Sequence, residues 1–220
     1  MQPSLRHRIY VATWGRIFAS MYDRFLGKAE AGKLGRLRHE LVAPLHGDIV
    51  DVGAGTGINL LHYAPSVEPI MVEPDRFMAT RLASRAHDLS RNVDVVLAGG
   101  ESLPLEDASV DHVVCTLVLC TAPAPQEVVA EAFRVLRPGG SLHFLEHVRS
   151  NTEKVARIQD RFRRPWSALG CGCQANRKTE LLFEPAGFTV ASLERHQLHG
   201  CGPMLSDVIV GSAKKPLTNV

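Results

Sequence analysis

The sequence predicts a doubly wound α/β fold, and three observations support this prediction. From residue 48 onward, short apolar runs alternate with helical stretches, which is typical of βαβ units. Runs such as Val110–Val114 and Val93–Leu97 are apolar at successive positions, as in parallel strands covered by helices on both faces. A glycine-rich turn follows the first run, at the sheet edge where doubly wound folds place ligands.

The remaining elements follow from the same alternation of patterns. A turn at residues 137–140 predicts a helix stop before the fifth strand. Neither a repeat nor a linker interrupts the pattern, so one domain over residues 1–220 is expected, with residues 1–44 as an N-terminal helical lid region. The strand candidates are Asp48–Val52, Pro69–Val72, Val93–Leu97, Val110–Thr116, Ser141–Leu145, 188–195 and 205–213, and the helical candidates are 57–64, 75–89, 125–136, 151–168 and 176–185.

The segment from residue 9 to residue 26 carries apolar side chains at helical spacings of three and four. Basic residues lie beside them, among them Arg16 and Arg24. The pattern fits a helix packed on the domain, a lid over a ligand, or a weak peripheral membrane contact. The packed helix and the lid are favoured over the membrane contact because the basic face of the helix is narrow. The apolar positions are Ile9, Tyr10, Trp14, Ile17, Phe18, Met21, Tyr22 and Phe25.

Composition excludes secreted, collagenous, disordered and integral-membrane proteins. The 220 residues suit a single domain with an ordinary core, and 45% of them are hydrophobic. The formal net charge of +2 gives no support for a nucleic-acid partner. No apolar run reaches the ~18 residues of a membrane span, and no signal-peptide core follows the basic start. Five cysteines, an odd number, predict reduced thiols and a cytoplasmic protein.

The strongest local signal is the segment Asp51-Val52-Gly53-Ala54-Gly55-Thr56-Gly57. Glycines there permit positive φ and a close approach of a ligand to the backbone. Glu73 ends the second strand run, 22 residues after Asp51, where a carboxylate can accept hydrogen bonds from ribose hydroxyls.

Two cofactors fit these residues, a dinucleotide and S-adenosylmethionine. The dinucleotide fingerprint G-x-G-x-x-G seats a pyrophosphate on a helix N-terminus. Here the third glycine comes one residue early, and Asp51 would repel a pyrophosphate but could orient an ammonium group. The spacing therefore favours S-adenosylmethionine, with a purely structural glycine turn as the alternative.

From about residue 45 to its end, the chain resembles the class I S-adenosylmethionine-dependent methyltransferases. The resemblance implies a seven-stranded Rossmann-like sheet with helices on both faces and the last strand antiparallel. It implies that Asp51–Gly57 holds the methionine part of the cofactor and that Glu73, followed by Pro74, binds the ribose. It also implies that the loop around Gly100 and Glu101 caps the adenine. Gly99 stands where the family commonly has an aspartate, and further matches are the strand ending in Thr116 and the turn at residues 137–140.

A narrower resemblance links the chain to the alkyl thiol methyltransferases of the endoplasmic reticulum. It is carried by Cys115–Cys120, Glu146-His147-Val148, Gly172-Cys173 with Arg177, and by Asn59, Tyr63 and Pro65. Those proteins carry a hydrophobic N-terminal membrane anchor that this sequence does not show, so a soluble relative is expected. The resemblance implies a thiol or sulfide as the methyl acceptor.

The expected cofactor-binding residues are Asp51, Gly53, Ala54, Gly55, Asn59, Glu73, Pro74, Gly100, Glu101 and Thr116. A thiol acceptor must lose its proton, so a histidine at the carboxyl edge of the sheet is the natural base. His147 fills that place as the catalytic candidate, with a structural hydrogen bond as the alternative. Glu146 beside it is a candidate surface or hinge residue. The expected substrate pocket consists of Tyr22, Cys120, His147, Cys173 and Arg177.

Each pocket residue also has a structural interpretation. Cys120 suits a small core thiol, and Arg177 suits a salt bridge to Glu180 or Glu184. Cys171 and Cys173 are separated by a single residue, and with His199 and Cys201 they do not match the usual spacing of zinc ligands. No metal is therefore expected.

The sequence thus predicts a methyltransferase that acts on a small molecule, with a thiol as the leading acceptor. Small aromatics, amines, quinone precursors and lipid headgroups are the alternatives. A non-catalytic cofactor-binding module and a nicotinamide dehydrogenase are the competing classes.

Overall fold

A seven-stranded sheet forms the centre of the protein in the computed structural model, which describes residues 16–198 and 200–217. The strand order is β3-β2-β1-β4-β5-β7-β6, and β7 runs antiparallel to both of its neighbours. This confirms the doubly wound α/β prediction and its antiparallel last strand. The strands are β1 (Ile49–Val52), β2 (Ile70–Val72), β3 (Asp94–Val96), β4 (Val110–Thr116), β5 (Leu136–His147), β6 (Thr189–Gln197) and β7 (Asp207–Lys214).

Five helices of the described residues cover the sheet, and their ends follow local chemistry. The Asp75 carboxylate caps α3 by accepting from the amides of Phe77 and Met78, and Pro125 opens α4 without needing its missing amide hydrogen. The helices are α1 (Arg16–Glu30), α2 (Lys33–Val42), α3 (Arg76–Asp88), α4 (Pro125–Val135) and α5 (Glu153–Leu169).

Two apolar layers hold these helices on opposite faces of the sheet. One layer packs α4 against side chains such as Val113 and Phe144 of the central strands. The other packs α2 and α3 around Met71 and Val114, and continues over Leu145 beneath α1. Parallel pairing of β1 with β2 and β4, and of β4 with β5, brings the carboxyl ends of these strands to one edge. Residues that follow these strands therefore meet there.

The structure differs from the sequence-based expectation at three elements. The helix expected at 57–64 is a single 3₁₀ turn, Ile58–Leu61, entered through Gly57 at φ 79°. The helix expected at 176–185 is two 3₁₀ turns, Thr179–Leu182 and Glu184–Ala186, since Pro185 lacks an amide donor and Gly187 has φ 95°. The fifth strand begins at Leu136, so the predicted turn lies inside β5, next to a register shift opposite Val110.

The N-terminal segment is helical from residue 16, and the expected apolar positions Ile9, Tyr10 and Trp14 lie outside the described residues. Met21, expected on the packed face, is 56% exposed. Within the described ranges, no helix combines the length and apolar character needed to cross a membrane.

Lys215, just beyond β7, closes the C-terminal end of α4. Its Nζ donates to the carbonyls of Phe133 and Leu136, each at 2.7 Å, and lies 4.7 Å from the centre of the Phe133 ring. The last carbonyls of a helix lack intrahelical donors, so this ammonium satisfies groups that would otherwise be unpaired.

Candidate functional site

The glycine loop after β1 adopts a positive φ at all three of its glycines, a conformation that favours glycine. Gly53 has φ 63°, and a Cβ there would lie 2.6 Å from Val118 Cγ2. Gly55 has φ 58°, and a Cβ there would meet nothing closer than an oxygen at 3.9 Å. The backbone of Gly55 is therefore open to a ligand, while Gly53 is packed against the loop after β4.

Glu73, at the end of β2, fixes this loop. Its carboxylate accepts from the amide of Gly55 and from the amide of Asp75, both at 2.8 Å. Burial raises the pKa of Glu73 to about 7, although these two hydrogen bonds act in the opposite direction. Each oxygen keeps a second lone pair, so the carboxylate can still accept from ligand hydroxyls.

Asp51 is buried within β1, and only one of its two carboxylate oxygens is hydrogen-bonded to described residues. Its Oδ2 accepts from Asn59 Nδ2 at 2.7 Å and from the Tyr63 hydroxyl at 3.1 Å, whereas its Oδ1 is buried and has no hydrogen-bond partner among the described residues. Burial raises the pKa of Asp51 to about 6, against the effect of those two donors. A buried carboxylate oxygen without a partner is costly unless a ligand or water donates to it.

Arg38, which the sequence analysis missed, lies in the same polar cluster. Its Nη1 donates to Asn59 Oδ1 at 2.6 Å and to Thr116 Oγ1 at 2.7 Å, and its other nitrogens pair with Glu30 at 2.7 and 3.1 Å. Burial lowers the pKa of Arg38, but Glu30 more than compensates and keeps the pKa above its ordinary value. The available signal was an arginine at a core-facing position of α2, between Leu34, Leu37 and Leu41.

A cleft opens between this cluster and the glycine loop. Tyr22 of α1 lines it from above, and burial raises the pKa of its hydroxyl above the ordinary range. Asp23, next in α1, accepts from Thr56 Oγ1 and from Arg85 Nη2, each at 2.6 Å. Helix α1 is thereby fastened over the glycine loop. The cleft is lined by Tyr22, Arg38, Gly53, Ala54, Gly55, Thr56, Ile58, Asn59 and Thr116.

The residues expected near the adenine lie at the end of β3. A Cβ on Gly100 would be 2.7 Å from Val52 Cγ1, so this position allows no side chain. Glu101 reaches the amide of Ala124 only at 3.5 Å. Pro74, on the neighbouring loop after β2, is exposed.

Glu146, expected as a surface or hinge residue, is completely buried. Its carboxylate accepts from the amides of Val118 and Leu119 at 2.9 Å and of Cys120 at 3.1 Å. Burial raises the pKa of Glu146 to about 7 despite these bonds. It fixes the loop that follows β4, in which Leu117 adopts a positive φ of 61°.

His147 lies on the opposite face of β5, with a 4% exposed side chain. One ring nitrogen bonds the backbone of Asp207, and Nδ1 is buried with no hydrogen-bond partner in the part of the chain that the structure describes. Burial lowers the pKa of His147 to about 4, and the nearby Arg38 contributes to the decrease. The imidazole is therefore neutral at pH 7 and presents an unshared electron pair at Nδ1.

Cys120 and Cys173 share a buried cluster with Trp166 and Met204, and their thiols are hydrogen-bonded to each other. That bond raises the pKa of Cys120 and lowers that of Cys173. Arg177 donates to the carbonyls of Leu119 at 2.5 Å and Ala122 at 2.8 Å, and so braces the same loop. Neither expected acid pairs with it, since Glu180 pairs with Arg195 and Glu184 has no such contact.

The structure thus brings most predicted site residues to one edge of the sheet, in two groups. Asn59, Thr116 and the glycine loop line the cleft, and the buried Asp51 is hydrogen-bonded to Asn59. Cys120 and Cys173 pack together, and Arg177 contacts the loop after β4 beside them. Among the described residues, no three His, Cys, Asp or Glu side chains are arranged to hold a metal ion. His199 lies outside the described residues.

These features fit S-adenosylmethionine. The unpartnered Asp51 oxygen suits its ammonium group, Arg38 suits its carboxylate, and the open backbone at Gly55 with Glu73 suits its ribose. The sheet topology and this site together define the class I methyltransferases.

Comparisons with known proteins agree with this class. Residues 50–144 match the family model described as a methyltransferase domain. The chain is 33% identical to human thiol S-methyltransferase TMT1A over 172 residues, covering 76% of this chain and 70% of that protein. It is 36% identical to rat thiol S-methyltransferase TMT1B over 151 residues, covering 66% of this chain and 62% of that protein. It therefore spans under two thirds of the length of TMT1B.

Solved structures show the same fold at low sequence identity. A SAM-dependent methyltransferase from Methanosarcina mazei gives a TM-score of 0.67 at 19% identity, covering 82% of this chain and 97% of that one. The [4+2]-cyclase SpnF also gives 0.67 at 19% identity, covering 84% and 80%. The chain belongs to the class I S-adenosylmethionine-dependent methyltransferases, in the family that includes TMT1A, and S-adenosylmethionine is its cofactor.

Proposed function

We propose that this protein transfers the methyl group of S-adenosylmethionine to the sulfur of a small thiol. The observation that carries the proposal is His147, a neutral imidazole with an unpartnered Nδ1 at the carboxyl edge of β5, close enough to Arg38 for its pKa to respond to that charge. The similarity to TMT1A and TMT1B, which are thiol S-methyltransferases, supports the choice of sulfur.

The chain's own residues hold the reactants in place. Asp51 receives the ammonium of the cofactor, Arg38 its carboxylate and Glu73 its ribose hydroxyls, which fixes the direction of the methyl group. The bound sulfonium supplies an activated methyl group, so the protein mainly orients the acceptor and excludes water. Tyr22, Cys120 and Cys173 form the apolar wall beside the acceptor, and the loop that Arg177 braces keeps that wall in position.

His147 handles the acceptor proton at Nδ1. A thiol has a pKa near 8.5, far above the value of about 4 for His147, so full proton transfer before reaction is unfavourable. We infer that Nδ1 accepts a hydrogen bond from the thiol and takes its proton as the new carbon–sulfur bond forms. With S-adenosylmethionine bound, this transfer would leave S-adenosylhomocysteine, and Nδ1 would then pass the proton to solvent.

The test is methyl transfer to a panel of thiols, sulfide, amines, phenols and a phospholipid amine, with products identified by mass spectrometry. We expect S-methyl products, and we expect His147→Ala to lower kcat with little change in cofactor affinity. His143→Ala is the matched control, because His143 is a half-buried imidazole on β5 whose pKa is also lowered to about 4 but which contacts His112 instead.

Two outcomes would contradict the proposal. Methylation of nitrogen or oxygen alone would keep the cofactor assignment and exclude the thiol. An equal loss of activity in His147→Ala and His143→Ala would show that His147 acts through stability.

A further inference from the structure

Helix α5 is attached to the protein through Ala156 and Gln159 in its first half and through Trp166 near its C-terminal end. Of its 17 residues only Ala156 and Gln159 are buried. The Gln159 side chain accepts from the amide of Ser150 at 2.8 Å and donates to the carbonyl of Val148 at 3.3 Å. Residues 160–165 are all exposed, so the second half of the helix offers most of its surface to the surroundings.

An apolar stripe runs along this exposed part. Ile158, Phe162, Pro165 and Leu169 recur at intervals of four, three and four, which places them on one side of the helix. Ile158 is half-buried against the cluster of Cys120 and Cys173, whereas the other three are exposed. Phe162 is 48% exposed and Leu169 is 61% exposed. Single exposed apolar residues are ordinary, but a line of them on one helix marks an interaction surface.

A basic stripe lies directly beside the apolar one. Lys154, Arg157, Arg161 and Arg164 recur at intervals of three, four and three. Among the residues that the structure describes, only Arg157 of these four forms an ion pair, with Glu153. The helix carries five basic and two acidic residues, a net charge of +3, whereas the whole chain carries +2. The rest of the chain is therefore slightly negative, and the positive charge is concentrated here.

We propose that α5 docks on an anionic lipid surface, with Phe162 and Leu169 entering the boundary between headgroups and acyl chains and Lys154, Arg161 and Arg164 contacting headgroup phosphates. An apolar stripe flanked by arginines and lysines is the pattern of helices that lie in a membrane interface. An acidic protein or a nucleic acid would use the charges but not the exposed Phe162 and Leu169.

The position of α5 links this surface to the proposed reaction. The helix leads at Leu169 into the loop of residues 170–173, and Cys173 packs against Cys120 at the proposed acceptor wall. Docking would bring that wall to the lipid surface, where apolar thiols concentrate. This consequence for the acceptor rests on the proposed function, whereas docking itself does not.

The experiment is co-sedimentation of the full chain with vesicles of phosphatidylserine and phosphatidylcholine, and with vesicles of phosphatidylcholine alone. We expect binding to the anionic vesicles that weakens as salt increases. Phe162→Ser with Leu169→Ser, and separately Arg161→Gln with Arg164→Gln, should each weaken binding about tenfold or more.

The matched controls change the same residue types elsewhere on the surface. Leu181→Ser with Leu193→Ser replaces exposed leucines, and Arg81→Gln with Lys214→Gln removes exposed charges outside α5. Both control variants should bind as the unchanged protein does. Thermal unfolding of each variant checks that it is folded.

Four results would overturn the docking proposal: equal binding to both vesicle types, full binding by both α5 variants, a loss caused by the charge variant alone, or equal losses in the controls. The third would indicate a general polyanion site. Since the readout is sedimentation, absence of thiol methylation would refute the proposed function and leave docking intact.

Discussion

Glu73 is the residue whose role in cofactor binding can be isolated most cleanly. Glu73→Gln keeps one acceptor oxygen but places an amide beside the backbone donors of Gly55 and Asp75. We expect the affinity for S-adenosylhomocysteine to fall by about 1.5–3 kcal/mol, the scale of a charge-assisted hydrogen bond. Calorimetric titration measures it, with the exposed Glu106→Gln as the control. Unchanged affinity in Glu73→Gln would remove this carboxylate from the ribose site.

Arg38 allows cofactor binding to be separated from stability. Arg38→Gln removes the proposed carboxylate partner and leaves Glu30 with an unpaired charge, so both affinity and unfolding free energy should fall. Adding Glu30→Gln should recover most of the unfolding free energy but not the affinity, which we expect to stay about tenfold or more below that of the unchanged protein. Denaturant unfolding and calorimetric titration of both variants provide the comparison. Recovery of affinity in the double variant would mean that Arg38 is only structural.

The sequence predicted some site residues and missed others for a physical reason. Gly53, Gly55 and Glu73 are constrained by neighbouring backbone, so their spacing along the chain indicates their position. Arg38 and Asp23 reach the site only because α1 and α2 pack over the sheet edge, and that packing depends on contacts distant in sequence. The burial of Glu146 was missed likewise, because its three donors come from the loop after a different strand.

At the scale of elements, α1 is the candidate lid. Asp23 joins it to Thr56 in the glycine loop and to Arg85 of α3. Asp23→Asn weakens both contacts by removing the charge, so we expect faster cofactor dissociation, by about three- to tenfold, with little change in kcat for saturating substrates. Stopped-flow displacement of S-adenosylhomocysteine measures this rate.

A matched control for the lid is Asp107→Asn, which weakens an exposed ion pair with Arg134 far from α1. Its dissociation rate should equal that of the unchanged protein. If Asp23→Asn also left the rate unchanged, α1 would be a fixed part of the domain rather than a lid.

Elements were predictable where the chain pattern was unambiguous. Strands such as β1 and β4 were expected near their observed positions, because strands buried in the sheet are continuous apolar runs. The edge strand β6 was also expected, although most of its side chains are exposed. Helix α2 was not separately predicted, since Gly35 and its many charged residues weaken the helical pattern. The segments at 57–64 and 176–185 became 3₁₀ turns because glycine and proline restrict them.

For the whole molecule, burial of His143 makes stability depend on pH. Burial lowers the pKa of His143 to about 4, with His112 contributing, whereas the unfolded chain titrates near pH 6.5. Below pH 6.5 the unfolded state therefore binds a proton that the folded state does not, and stability falls as pH falls. Relative to His143→Gln, the unchanged protein should lose about 1.5 kcal/mol of unfolding free energy between pH 6.5 and pH 5.

Urea unfolding of the two proteins at both pH values measures this difference. Taking the difference cancels the contributions of Asp51, Glu73 and Glu146, whose raised pKa values act in the opposite direction. A constant difference across this pH range would show that His143 can be protonated within the fold.

Lys215 has a practical consequence for protein engineering. Its ammonium closes α4, and its backbone pairs with Gly139 and Gly140 at the start of β5. An affinity tag or fluorescent fusion joined before this lysine would remove the donor to both carbonyls at the end of α4 and the backbone partner of β5. A junction placed after Leu217 keeps both contacts, so fusion libraries of this protein should begin there.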